Sequence, residues 1–103
     1  MSFKPVCTLD DLWEGDMQVF EVGAQEVLVV NAEGGVIRAF DPICPHQEQA
    51  LIEGTLEGCV LTCPAHLWQF DVVSGEGVNP TGCRLNAYPV RVEGADILVD
   101  LPD

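Results

Sequence analysis

CPHQEQALIEGTLEGCVLTCPAH, running from Cys44 to His66, holds both histidines of the chain and three of its five cysteines. The ligand-type residues fall as Cys44-x-His46, a gap of sixteen residues, then Cys63-x2-His66. Pro45 and Pro64 each follow one of these cysteines. A proline fixes φ and so preorganises the loop that carries it. Thiols and imidazoles in this number suit two kinds of centre. All four can close around one tetrahedral zinc, or two thiolates can hold one iron and two imidazoles the other of a two-iron, two-sulfide cluster.

The spacing favours the cluster. A common zinc finger takes both cysteines from one loop and both histidines from another. Here each loop offers one of each, so each loop can reach both irons. Histidines at the loop tips leave the outer iron near solvent, where a site that hands electrons to a partner needs it. Zinc stays open as the alternative, and it predicts a colourless protein. Cys59, four residues before Cys63, is a further thiol to test against the ligand set.

Outside this stretch, short apolar and β-branched runs alternate with turn residues. Residues 17–22, 26–31 and 36–40 read as an antiparallel meander. Residues 59–62 and 67–71 are two further strand candidates, and 88–93 and 97–100 pair across a turn at 94–96. In the run 88–93, Val90 and Val92 are expected to face inward and Arg91 and Glu93 outward. Helix is scarce, with single turns expected at 8–11 and 49–52. The pattern predicts an all-β antiparallel sandwich or small barrel, interrupted by two ligand-bearing loops.

The bulk numbers set limits. A chain of 103 residues suits one domain. The 17 acidic residues face only Lys4, Arg38, Arg84 and Arg91, for a net charge of −13. That balance excludes nucleic-acid binding, because nothing offsets the phosphates. It serves solubility and steers the chain toward a partner with a basic face. No apolar run approaches bilayer-spanning length, and the first residues lack the order of a secretory signal. No membrane association is expected, and a cytoplasmic location is. There is no nucleophile–base pair, no phosphate loop and no substrate-pocket signature, so the chain is not expected to be an enzyme.

The motifs Cys44-Pro45-His46 and Cys63-Pro64-Ala65-His66 resemble those of the Rieske [2Fe–2S] ferredoxins. CPHQE, TCPAHLWQFD, the Gly-x-Gly-Val-Asn-Pro run ending at Pro80, LNAYPV near Tyr88 and the segment SFKPVCTLDDLWEGDM extend the likeness over nearly the whole chain. They look like the ferredoxin components of toluene-type multicomponent monooxygenases. The resemblance implies a single Rieske domain over 1–103, with a two-loop cluster-binding subdomain within about 42–70. It implies one [2Fe–2S] cluster on Cys44, His46, Cys63 and His66, the histidines binding through Nδ1 with Nε2 toward solvent. It implies a one-electron carrier, monomeric when free, between an NADH-dependent flavin/iron–sulfur reductase and a di-iron hydroxylase. The ligand motif equally fits the ferredoxin of an aromatic-ring dioxygenase system. Another rival is a structural subunit of a larger oxidoreductase, which predicts tight co-purification.

High-potential Rieske proteins carry a disulfide between the loops, and a Ser and a Tyr that donate to the cluster sulfurs. The matching positions here are Gln49, Ala65, Trp68 and Phe70. Fewer donors leave the reduced cluster less stabilised, so a potential at the low end of the Rieske range, on the order of −150 mV, is expected. Cys7, Cys59 and Cys83 read as small buried thiols. Trp13 reads as packing, and Trp68 as either core or a cover over the cluster. Gly54, Gly58, Gly75 and Gly77 read as turn glycines.

Overall fold

In a computed structural model, residues 2–43, 50–63, 69–78 and 85–101 are described. Ten strands appear: β1 (Ser2–Thr8), β2 (Met17–Val22), β3 (Gln25–Ala32), β4 (Val36–Phe40), β5 (Thr55–Glu57), β6 (Val60–Thr62), β7 (Gln69–Asp71), β8 (Ala87–Tyr88), β9 (Val90–Glu93) and β10 (Asp96–Leu101). The one helical element among the described residues is a 3₁₀ turn at Leu51–Glu53. The strands form three antiparallel sheets, ordered β1-β10-β9, β2-β3-β4-β8 and β5-β6-β7. The all-β antiparallel architecture read from the sequence is the one observed.

β3 organises the molecule. Val27 to Val30 are all fully buried, and successive side chains of a strand point to opposite faces. Val27 and Val29 therefore join Ile37, Ala39, Ile97, Val99 and Leu101 in one core. Leu28 and Val30 join Phe40, Leu51, Leu61, Cys63, Phe70 and Val72 in the other. A strand covered on both faces needs an unbroken apolar run. Each of these four side chains contributes about 1.5–3 kcal/mol of burial. The first core closes the frame of the two larger sheets. The second fastens the small β5-β6-β7 sheet onto it.

Three strands escaped the sequence pattern, among them β8, which the run 88–93 merged with β9 but which ends before Pro89 and pairs with β4 in the other sheet. β1 contains Pro5, and its pairing with β10 shifts register between Pro5 and Cys7. A proline is tolerated there because β1 lies at a sheet edge. β5 is three residues long, with only Leu56 apolar, too short to show a period. Val92 is 43% exposed, against the inward expectation. It pairs with buried Ile97, but β9 is an edge strand of its sheet. Trp13, expected in the core, is 73% exposed. The loop buries the neighbouring Leu12 instead. At residues 8–11 the chain makes a turn and no helix: the Thr8 backbone N–H and hydroxyl both donate to the Asp11 carboxylate, at 3.0 and 3.2 Å.

Candidate metal centre

The small sheet sets the bases of the two ligand loops side by side. The first loop leaves the frame at the end of β4. Asp41 Oδ1 accepts the Ile43 N–H at 3.0 Å, and the Leu51 N–H donates to the Pro42 carbonyl at 2.9 Å. An antiparallel bridge then joins Ile43 to Ala50. The second loop is closed by the Thr62–Gln69 pair of β6 and β7. The 3₁₀ turn at Leu51–Glu53 links the two bases. It ends at Gly54, whose backbone lies against the Thr62 carbonyl: a Cβ there would collide with that oxygen. Gly54 is extended, with φ −85°. It is needed for close approach, and not as the turn glycine the sequence suggested. Residues 50–54 and 62–63 are thereby held at one end of the small sheet.

Cys63 is the one sequence-predicted ligand among the described residues. It follows β6 directly, is fully buried, and is not in a disulfide. Leu51, Leu61 and Phe70 belong to the same core, so the thiol's backbone is anchored by packing. Cys44, His46 and His66 lie outside the described residues, as do Gln49, Ala65, Trp68 and Cys83. No group of three or more metal-ligating side chains occurs among the described residues. A buried thiol at the base of one of the two loops suits a thiolate ligand. The donor set of two thiols and two imidazoles suits a [2Fe–2S] cluster with mixed ligation.

The remaining thiols take other places. Cys59 sits at the β5–β6 turn, at the opposite end of the small sheet from Cys63. Its Sγ lies 3.7 Å from the Glu33 carbonyl, to which it donates. That placement removes it as a substitute ligand for Cys63. Cys7 and Cys59 are each partly exposed, less covered than the sequence reading expected. Burial, then the nearby Asp11 charge, push the Cys7 thiol up to about 11. Burial, then Asp41, also raise Tyr88. Tyr88 lines a cleft of about 460 Å³ with Arg38, Val73 and Pro89, formed by the frame and the 72–75 turn and apart from the loop bases.

A family profile described as the Rieske [2Fe–2S] domain matches residues 2–89. The chain belongs to the Rieske [2Fe–2S] family. The ferredoxin component of the alkene monooxygenase system of Xanthobacter autotrophicus is 49% identical over 100 residues, covering 96% of this chain and 81% of the relative. The ferredoxin of carbazole 1,9a-dioxygenase from Nocardioides aromaticivorans superposes with a TM-score of 0.83 at 34% identity, covering 96% of this chain and 97% of the other. A structure described as a complex of reduced oxygenase and oxidized ferredoxin in carbazole 1,9a-dioxygenase matches with a TM-score of 0.82 at 30% identity, covering 94% and 91%. This Rieske domain holds one [2Fe–2S] cluster and acts as an electron carrier, a ferredoxin component and not a catalytic one. The zinc-module alternative is set aside by the same matches. No helix among the described residues is long and apolar enough to cross a membrane.

Proposed function

We propose that Cys44 and Cys63 hold the inner iron of the cluster and His46 and His66 the outer one. The chain would then relay single electrons from an NADH-dependent flavin/iron–sulfur reductase to the di-iron hydroxylase of a hydrocarbon monooxygenase system. The observation that carries the reading is the pair of clipped loop bases at one end of the small sheet, with the buried Cys63 at one of them. The cluster, when bound, supplies a one-electron couple. The protein's own part is to hold it with little rearrangement. Backbone clips at both loops and core packing behind Cys63 serve that end.

The surroundings of the loops and the relatives support this partner class. Ile43 and Ile52 are exposed beside the first loop, an apolar rim for an oxygenase to cover near the cluster. The identity to a monooxygenase ferredoxin over nearly the full chain supports the monooxygenase assignment. A second reading, the ferredoxin of an aromatic-ring dioxygenase, is favoured by the likeness to the carbazole dioxygenase ferredoxin. The hydrocarbon itself, aromatic or alkene, is selected in the oxygenase. A monomer in the cytoplasm fits this role.

The deciding experiment mixes the dithionite-reduced protein with a di-iron hydroxylase and, separately, with a ring-hydroxylating dioxygenase. Reoxidation is followed optically. Rapid, saturable reoxidation by the hydroxylase alone is expected. Transfer to the dioxygenase alone would establish the second reading. Cys44→Ser or His66→Ala should abolish the rhombic EPR signal of the reduced cluster, and an intact signal in either variant would overturn the ligand assignment.

A further inference from the structure

The electron carrier makes no use of the cleft beside Tyr88. Its volume of about 460 Å³ falls within the range of small-molecule sites. Phe40 and Val72, both fully buried, form its floor, and Val73, Pro89 and Val90 its walls. The turn on one side is held by its own bonds. Asp71 Oδ1 accepts the Val73 N–H at 2.9 Å. The Gly75 N–H donates to the Asp71 carbonyl at 2.7 Å, and the Leu85 N–H to that of Gly75 at 2.7 Å. On the other side β4 and β8 pair at Ala39–Tyr88 and Phe40–Ala87. The Arg38 side chain ties the two sides: its Nε donates to the Val73 carbonyl at 3.4 Å and its Nη1 to the Ile37 carbonyl at 2.8 Å. A cleft fixed in this way costs a ligand little ordering.

Arg38 decides what that ligand is. The chain has four Lys and Arg against 17 acidic residues. Even so, Arg38 has no carboxylate at ion-pair distance among the described residues. Arg91, by contrast, lies 3.6 Å from Glu93. Carbonyls accept two of the guanidinium's five N–H donors, so three remain, and its charge has no counter-charge. The Tyr88 hydroxyl is a second donor. Burial, then the Asp41 charge, raise its pKa, so it keeps its proton at neutral pH. A planar guanidinium matches a carboxylate. One cation balances one negative charge. A second would stand near Asp41, in a chain of net charge −13, which disfavours phosphates and dicarboxylates. The rings of Phe40 and Tyr88 and the aliphatic walls take a flat apolar body.

We propose that this cleft binds a small monocarboxylate with an apolar, ring-sized body, its carboxylate on Arg38 and the Tyr88 hydroxyl. The bound molecule bridges the frame, through Tyr88 and Val90, and the turn after β7, through Val73. The cleft lies apart from the loop bases, so the proposal does not depend on the ligand set of the cluster or on the oxygenase served.

The test titrates benzoate into the cluster-loaded, isotope-labelled protein and follows amide chemical shifts. Saturable shifts at Val73, Gly75, Tyr88 and Val90 are expected, with a dissociation constant on the order of 1 mM for so small a ligand. Benzyl alcohol has the ring without the charge, and acetate the charge without the ring. Each should bind about tenfold more weakly. Arg38→Gln should weaken benzoate binding roughly tenfold, and Tyr88→Phe about threefold. No saturable shift at about 20 mM benzoate, or shifts centred elsewhere, would overturn the proposal. Benzyl alcohol binding as tightly as benzoate would leave an apolar cleft with no anion site, and acetate or phosphate binding as tightly would leave an anion site with no place for the ring; either result overturns it. The comparison of ligands needs no variant, so it decides the matter even where Arg38→Gln, which also loses the tie to Val73, fails to fold.

Discussion

Gly54→Ala is the substitution for which the structure makes the sharpest statement. The backbone at Gly54 is extended, a conformation alanine adopts freely, so no dihedral cost arises. The cost is steric. The new Cβ would run into the Thr62 carbonyl oxygen, with the Thr62 carbonyl carbon at 3.1 Å and the Leu51 oxygen at 3.2 Å. All three obstacles are backbone, so no rotamer change relieves them. Overpacking costs typically about 1–3 kcal/mol, and a rigid obstacle puts this case near about 3 kcal/mol. In a chain of this size that lowers the unfolding midpoint by roughly 12 °C or more. The displaced residue, Thr62, precedes Cys63, so the variant should also lose iron. The control is Gly94→Ala, at φ +63° with open space around the new Cβ. It meets only the left-handed backbone penalty of about 1–2 kcal/mol and should keep its cluster. Circular dichroism melts and iron content are the assays. A Gly54→Ala protein as stable as Gly94→Ala, with full iron, would refute the close-packing argument.

Further outcomes follow from charge and chemistry. With a net charge of −13, the second-order rate of electron transfer to a basic partner should fall as salt rises; a salt-independent rate would remove steering. Film voltammetry should place the midpoint on the order of −150 mV, at the low end for Rieske centres; a value well above zero would contradict the reasoning from Trp68 and Phe70. The Cys7 thiol, raised from 9.0 to about 11, should react with iodoacetamide at pH 8 about tenfold more slowly than in the urea-unfolded chain. The thiolate fraction falls about a hundredfold, and greater nucleophilicity returns about tenfold. The unfolded thiol ionises first, so this group's contribution is full below pH 9.0 and is lost as pH rises toward about 11. A rising stability over that window in a protein whose other titrations are matched by a Cys7→Ala control would contradict it.

How much was legible beforehand depended on how each segment carries its signal. β2 and β4 were readable to the residue because their apolar runs are bounded by glycine or by acid–proline turns. β3 was readable as a strand, but its burial on both faces only became evident once Leu28 and Val30 were seen against Phe70 and Leu61. β1 was hidden by Pro5, and β5 by its length. Cys63 was singled out by its spacing, and the structure places it buried at the end of β6, at the base of the second loop. Gly54 was seen but misread, since a glycine for close approach and a glycine for a turn look alike in a string of letters. Trp13 was misread for a different reason: which of two adjacent apolar residues, Leu12 or Trp13, faces the core is decided by the hydrogen bonds that Asn31 makes with the loop.

The pairings of the frame have one more consequence. Ser2 stands opposite Leu101, and Phe40, where the chain departs for the ligand loops, stands opposite Ala87, where it returns. Each excursion of the chain thus begins and ends at neighbouring backbone positions. The cluster-bearing segment returns beside its point of departure, so a replacement would need to span only that short gap, but it would also have to cover Leu28, Val30 and Phe40. For an engineer, the loop tips are the parts of 41–86 open to exchange, while Leu51, Leu61, Phe70 and Val72 belong to the frame they cover.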